Sequence, residues 1–371
     1  MTYVRNAWYV AAWSEESQSR RPLGVRVLNE PIVIWRSETG VLAAFEDRCI
    51  HRLAPLSLGR CEGEMLRCMY HGLRFDRTGR VVEIPGQDRI PNSLRVRTYP
   101  VAERHGWIWV WMGTESAADE GLIPPVIGMD HPDYICGHGQ LDYDAEARFV
   151  SDNLLDLSHV SFLHTASAGT SENWARERPK VTEQERGVRI EQWLRGEGSY
   201  GSVAADAAER VDVYSCYDFF VPGVFLMTQD AYLLGTADAL NGQPPPDLDP
   251  AAKKFVAQQA ITPLTEKTAR SFYIMAAHRC HGGADQRDAT MAVVPKIFAE
   301  DKAMIEAQQR IIDVTPGWRF IATTADRGVV LFNRLVEKLV REESARSSDA
   351  SSTGILDSGT GPNLDRRLVG G

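Results

Sequence analysis

The stretch that most constrains this chain is residues 49 to 71, CIHRLAPLSLGRCEGEMLRCMYH. Cys49-x-His51 is followed, after sixteen intervening residues, by Cys68-x2-His71. Each half supplies one sulfur and one imidazole, so two short loops must close over one metal centre. Whatever surrounds them must be a scaffold that holds two loops side by side. Two cysteines and two histidines in this split suit a [2Fe–2S] cluster in which the histidines hold one iron and the cysteines the other. A tetrahedral zinc accepts the same donor count and is the open alternative. Zinc fingers usually pair Cys with Cys and His with His, whereas both halves here are mixed.

The flanking sequence predicts strands. Val25 and Val27, Ile32 to Trp35, and Val41 to Phe45 are punctuated by Gly24, Pro31 and a Glu38-Thr39-Gly40 turn. Leu73 and Phe75 lead into the turn Asp76-Arg77-Thr78-Gly79, and Val81 to Ile84 return from it. Trp107, Trp109 and Trp111 alternate with Ile108, Val110 and Met112, the period of a strand with two faces. These tryptophans read as core rather than as electron conduits. Residues 1–115 therefore form an all-β domain carrying the cluster on two loops. Gly113 to Ser116 and Pro124-Pro125 mark the boundary.

A second domain is expected over 116–343. Strand candidates are 187–194, 211–217, 223–228 and 271–277, and helices fit 146–164, 298–313 and 324–343. NGQPPPDLDP at 241–250 reads as a surface loop, and the Ser/Gly/Thr/Asp-rich 344–371 as a mobile tail. The net charge of −9, with no basic stripe, argues against a nucleic-acid binder. Cys61, Cys136, Cys216 and Cys280 follow no disulfide framework, no secretory signal opens the sequence, and no apolar run approaches a membrane span. The expectation is a cytoplasmic protein that neither enters a membrane nor binds nucleic acid.

Residues 152–164, DNLLDLSHVSFLH, hold a second constellation. His159 and His164 are five apart, about 140° on an ideal helix, too wide for one metal unless the helix ends or is distorted there. Read alone, both could be core or capping histidines. A carboxylate is available at 298–313. On a helical wheel Asp301 falls among Phe298, Met304, Ile305 and Ile312, opposite Lys302, Glu306 and Arg310. A buried carboxylate there needs a metal or a buried arginine as partner. Glu300 lies at the rim. Two histidines and one carboxylate would leave positions open on iron, as oxygen-activating non-heme iron requires.

Cys49-x-His51…Cys68-x2-His71, then Asn153-x2-Asp156-x2-His159-x4-His164, then Glu300-Asp301 together resemble the terminal oxygenases of the Rieske non-heme iron family. The similarity covers about residues 1–343. NAWYVAAW and Ile261-Thr262-Pro263 resemble the vanillate O-demethylase and dicamba-demethylase group. Met69 departs from the proline common there. The resemblance implies an α+β chain: an all-β Rieske [2Fe–2S] domain, then a catalytic domain of antiparallel sheet plus helices in the helix-grip, START-like manner. It implies that Cys49, His51, Cys68 and His71 hold the cluster and that His159, His164 and Asp301 bind a mononuclear Fe(2+). Asn153 would stand beside that iron. Asp156 would bridge an iron-ligating histidine of its own subunit to His71 of a neighbour in a homotrimer.

The implied reaction is O2-dependent O-demethylation of a methoxylated aromatic compound, with electrons from an NAD(P)H-dependent reductase or ferredoxin. Hydroxylation, N-demethylation or cis-dihydroxylation of another ring are the alternatives, and a non-catalytic Rieske electron carrier is the rival of a different class. The mostly apolar and aromatic stretches Phe219 to Phe225, Phe272 to Met275 and 232–240 are candidate pocket walls. Gln229, Gln259, His278 and Arg279 are candidate substrate anchors.

Overall fold

The computed structural model describes residues 3–18, 21–168, 170–198, 210–246 and 253–353. The first part contains β1 (Trp8–Trp13), β2 (Leu23–Val27), β3 (Glu30–Arg36), β4 (Leu42–Glu46), β5 (Arg60–Glu62), β6 (Met65–Arg67), β7 (Arg74–Phe75), β8 (Val81–Glu83), β9 (Thr98–Tyr99), β10 (Val101–Arg104) and β11 (Trp107–Trp111). These form three antiparallel sheets, ordered β2-β3-β4-β9, β1-β11-β10 and β5-β6-β7-β8. The 49–71 stretch runs from the end of β4 to the start of β7, so one cluster loop follows β4 and the other joins β6 to β7 in a second sheet.

The second part is a seven-stranded antiparallel sheet of β12 (Tyr134–Tyr143), β13 (Lys180–Gln184), β14 (Gly187–Glu197), β15 (Val211–Phe220), β16 (Val224–Leu233), β17 (Lys253–Pro263) and β18 (Ala269–His278). β13 to β18 follow one another as a meander and β12 adds to the β18 edge. Its helices are α1 (Ala147–Leu155), α2 (Val160–Leu163), α3 (Thr165–Ala168), α4 (Asn173–Arg176), α5 (Thr236–Ala239), α6 (Gly283–Asp313) and α7 (Arg327–Thr353). α6 lies against β12 and β18, and α7 against β13 and β14. No helix among the described residues is long and apolar enough to cross a membrane.

β11 joins the two parts because both its faces are buried. Trp107, Trp109 and Trp111 pack with Trp8 and Trp13 onto Phe272 and Ile274, one face of β18. Ile108, Val110 and Met112 turn into the other core. The tryptophans are core, as their alternation indicates, and truncating one to Ala removes about 3–5 kcal/mol of packing. The Thr262 hydroxyl donates to the Val10 carbonyl at 2.6 Å, and the Pro263 carbonyl accepts from Leu28 N–H. The Ile261-Thr262-Pro263 run is thus a clamp on the first domain.

Several elements differ from the sequence reading. β12, β13 and β17 are additional. β12 escapes notice because YICGHGQLDY contains two glycines, yet a Cβ on Gly137 would sit 2.4 Å from Met291 of α6. The glycine lets the helix approach the sheet. In β17, Gln258 is fully buried and its amide exchanges two hydrogen bonds with the backbone of Ile127, which hides its strand character. The helix expected at 146–164 is broken: α1 stops at Leu155, a 3-10 turn spans Leu157–His159, and α2 follows. α6 begins fifteen residues before the expected 298, running through Pro295. α7 continues past Ser344 to Thr353, because SARSSDASST holds neither Gly nor Pro before Gly354. The rest of the expected tail, and residues 247–250 of the proline-rich loop, lie outside the described residues.

Candidate functional site

The two cluster loops are built alike. Cys49 N–H donates to Ala54 O while its carbonyl accepts from Leu53 N–H; Cys68 N–H donates to Leu73 O while its carbonyl accepts from Gly72 N–H. Four residues after each cysteine the backbone turns left-handed, at Leu53 (φ 57°) and Gly72 (φ 79°). The matching turns aim both cysteines inward and both histidines outward. Cys49 and Cys68 are buried among Leu56, Leu66, Leu73 and Phe75. The His51 and His71 rings are exposed and stand edge to face with centroids 4.5 Å apart. Burial, with Cys68 beside it, pushes the Cys49 thiol up to about 11. Two adjoining buried thiols and two adjoining surface imidazoles separate into a sulfur side and a nitrogen side, the division a Rieske cluster needs.

The second constellation forms because the chain breaks at Asp156. This residue is extended (φ −124°, ψ 92°), and its carboxylate caps the next turn by accepting Ser158 N–H at 2.9 Å. The break swings His159 round to face His164, the residue that ends α2, and the two ring centroids lie 5.4 Å apart. Asp301 arrives from α6, buried. One ligand atom each from His159, His164 and Asp301 lies within 4.8 Å of the others. His164 Nε2 is 3.1 Å, and His159 Nε2 3.4 Å, from Asp301 Oδ1. Asn153 Nδ2 stands 3.3 Å from both Asp301 Oδ1 and His159 Nε2.

The hydrogen bonds behind the two histidines fix which ring atoms face inward. His159 Nδ1 donates to the Asp156 carbonyl at 2.7 Å, and His164 Nδ1 donates to Glu300 Oε2 at 2.9 Å. With both Nδ1–H groups committed, the neutral rings turn two Nε2 lone pairs toward a carboxylate oxygen. Three acceptors converging in a buried site repel unless a cation or protons sit among them. Burial pulls His164 down, but the Asp301 and Glu300 carboxylates beside it more than offset that and leave it raised. Burial likewise pushes Asp301 up, and its two histidine contacts reverse that, holding it below the usual carboxylate range. The donor set of two imidazole nitrogens and one carboxylate oxygen fits a mononuclear iron with open positions.

The site opens into an apolar cavity lined by Leu154, Leu157, Trp174, Phe225, Met227, Phe255, Gln259, Met275 and Phe298. Of the expected wall residues, Phe225 and Met275 line it. Phe272 instead packs against Trp13 on the opposite face, and Phe219 against Phe332. Tyr232 belongs to a separate cluster with Trp193 and Ala237. Among the expected anchors, Gln259 lines the cavity. Arg279 donates to the Pro132 carbonyl, and His278 meets Tyr134 edge to face, outside this lining.

Residues 7–100 match the Rieske [2Fe-2S] domain family, and residues 143–342 match the vanillate O-demethylase oxygenase C-terminal domain family. The chain belongs to the Rieske non-heme iron oxygenases, in the vanillate O-demethylase family. It is 31% identical to the toluene-4-sulfonate monooxygenase system iron-sulfur subunit of Comamonas testosteroni, over 92% of this chain and 98% of that one. It is 32% identical to a vanillate O-demethylase oxygenase subunit of a Pseudomonas species, over 94% and 98%. The crystal structure of dicamba monooxygenase bound to 3,6-dichlorosalicylic acid superposes with a TM-score of 0.82 at 30% identity, covering 93% of this chain and all of that one. The chain is therefore an oxygenase component, with a Rieske cluster in its first domain and a candidate mononuclear iron site in its second.

Two features of this Rieske oxygenase differ from the residue-level expectation. The resemblance has Asp156 orient a ligand histidine through its carboxylate; in the structure its backbone carbonyl accepts from His159 Nδ1, while one carboxylate oxygen, Oδ1, caps the next turn at Ser158 N–H. Glu300, set at the rim of the helix as the poorer ligand candidate, reaches His164 from behind and also accepts from Ser167 Oγ at 2.6 Å. The signal was its position directly before Asp301: consecutive helix residues lie about 100° apart, enough for one to face the ion and the other the far side of a ligand ring. On the same wheel Met304 was placed on the buried face; it is exposed, at the mouth of a groove shared with Asn153, Asp156 and His159.

Proposed function

We propose that this chain is the oxygenase of a multicomponent monooxygenase that O-demethylates a methoxylated aromatic compound. The observation that carries this reading is the pair of Nε2 lone pairs converging with Asp301 at the floor of an apolar, aromatic-lined cavity. In the balanced reaction, an aryl methyl ether, O2, two electrons and two protons give a phenol, formaldehyde and water. Bound iron supplies the O2 chemistry.

The chain's own residues do the rest. Cys49, Cys68, His51 and His71 hold the cluster; His159, His164 and Asp301 hold the mononuclear iron, with Asn153 beside it. The Asp156 carbonyl fixes the tautomer of His159, and Glu300 fixes that of His164. Phe225, Met227 and Met275 seat the ring and exclude water. Electrons come from a separate NAD(P)H-dependent reductase or ferredoxin. We further propose a cytoplasmic homotrimer in which the half-exposed Asp156 meets His71 of a neighbouring subunit. The apolar groove beside Asp156, formed by Met304, Phe320 and Ile321, supports a docking surface there. The absence of disulfides among the described cysteines suits a reducing compartment.

The test is metal counting with single turnover. Three irons per chain and formaldehyde release from a methoxybenzene panel are expected. Asp301→Ala should lose one iron and all product while keeping the Rieske spectrum. Normal turnover by that variant would overturn the site assignment.

A further inference from the structure

The inner face of the large sheet changes character at one row. Reading across the strands, Val188, Phe219, Phe225, Gln259 and Tyr273 stand abreast. Two residues along, Ile190, Tyr217, Met227, Ala257 and Met275 do the same. The next row is Gln192, Ser215, Gln229 and Phe255. Cross-strand partners share a face, so three polar side chains lie side by side, Gln229 and Ser215 next to the apolar wall of the cavity and Gln192 at the row's far end, where it lines a neighbouring pocket. They are buried: Gln192 is 8% exposed, Ser215 0% and Gln229 3%.

Four of their five polar side-chain atoms are not used. Gln192 Oε1, Ser215 Oγ and both Nε2 and Oε1 of Gln229 are buried without a hydrogen-bond partner. Buried polar groups are ordinarily paired, and an unpaired one is costly. Three in a row on consecutive strands call for an occupant. Gln229 is placed to meet one, because Met227, two residues before it, and Phe255, directly opposite, both line the cavity above the metal candidate. Met227 and Gln229 lie about 7 Å apart along the strand, roughly the span of a benzene ring with one substituent.

We propose that Gln229 and Ser215, backed by Gln192, form the subsite for a neutral polar substituent on the substrate ring, an amide, carbonyl or phenol, and that this oxygenase selects uncharged aromatics over aromatic acids. This rests on reading the cavity as the substrate site. The row offers uncharged donors and acceptors together, which match a group that both gives and takes hydrogen bonds. An ionised carboxylate placed there would need a cation to offset its desolvation; among the described residues lining the cavity there is neither lysine nor arginine, and Arg176, Arg178 and Arg327 line the separate pocket at the Gln192 end of the row. The charged group that does line it, Asp301, opposes an anion.

The experiment is calorimetric titration of the iron-loaded holoenzyme with 3-methoxybenzamide, 3-methoxybenzoate and anisole, alongside formaldehyde release from each. The amide should bind at least tenfold more tightly than either of the others. Gln229→Leu and Ser215→Ala should each weaken the amide about tenfold while leaving anisole affinity and the Rieske spectrum unchanged, which separates a lost subsite from a misfolded chain. Benzoate binding as tightly as the amide, no binding by any probe, or amide affinity insensitive to both variants would overturn the proposal. The two readings fail separately. Tight, variant-sensitive amide binding without formaldehyde would leave the subsite standing and remove demethylation. Formaldehyde from benzoate alone would do the reverse.

Discussion

Replacing Glu300 with Gln should loosen the mononuclear iron without touching the Rieske cluster. Glu300 Oε2 accepts from His164 Nδ1 at 2.9 Å and from Ser167 Oγ at 2.6 Å, and the Ser167 and His164 bonds hold its carboxyl below the usual range. The carboxylate has two effects on His164. It fixes the Nδ1–H tautomer, which leaves Nε2 free for the metal, and its charge makes that nitrogen a better donor. Glutamine keeps the size but loses the charge, and its amide can turn an N–H toward Nδ1, favouring the wrong tautomer.

Two routes give the magnitude. A hydrogen bond to a charged group contributes about 1.5–3 kcal/mol. Partners standing behind a metal's ligands typically change affinity about 10–100-fold, or ~1.4–2.7 kcal/mol. Since the Glu300 side chain is 27% exposed, solvent screening favours the lower half of that range, about 10–30-fold. The assay is competition for Fe(II) against a chelator of known affinity, with the Rieske visible spectrum as internal reference. Ser167→Ala, which removes only a support of Glu300, should produce a smaller loss in the same direction. Iron affinity unchanged in Glu300→Gln, or a Rieske signal lost in parallel with the mononuclear iron, would refute the reasoning.

The matched cluster loops predict opposite outcomes for reciprocal changes. Gly72→Ala puts a Cβ 2.8 Å from Pro85 Cγ at φ 79°; it should cost more than ~1–2 kcal/mol and lower cluster content per chain, read from visible absorbance. Leu53→Gly relieves a left-handed non-glycine whose side chain is 70% exposed; it should stabilise by up to ~1 kcal/mol at constant cluster content, read from thermal unfolding. At Glu30, burial pushes the carboxyl up, but Tyr99, Arg5 and Arg97 together hold it depressed. That stability is present above an unfolded value near ~4.3 and is lost as pH falls through the lower folded value. Glu30→Gln should therefore be less stable by ~1–2 kcal/mol near neutrality, and its gap from the parent should close below about pH 4.

The fold was legible where one side-chain period dominated. The tryptophan strand, the β3–β4 hairpin and the late helices announce themselves because each has a single apolar face or two contrasting ones. β12 and β17 do not, since their residues were chosen for close approach and polar contact rather than for propensity. Gly137 makes room for Met291, and Gln258 fastens the segment that joins the domains. Such strands look like loops until their neighbours are known.

The metal candidates were legible for a different reason. Spacing shows which side chains can converge, and the helical wheel singled out Asp301 because a carboxylate on an apolar face demands a partner. Spacing says nothing about what stands behind a ligand. It leaves Glu300 at the rim as the poorer ligand candidate, and it does not show that the Asp156 carbonyl faces His159. A backbone carbonyl leaves no trace in composition: any residue at position 156 has one, and only the extended turn there aims it at His159. The same limit explains the row of Gln192, Ser215 and Gln229. These residues are 37 positions apart from first to last, on three strands whose register no local pattern reveals. Only the ladder of β14, β15 and β16 shows that they stand abreast with most of their polar atoms unpaired.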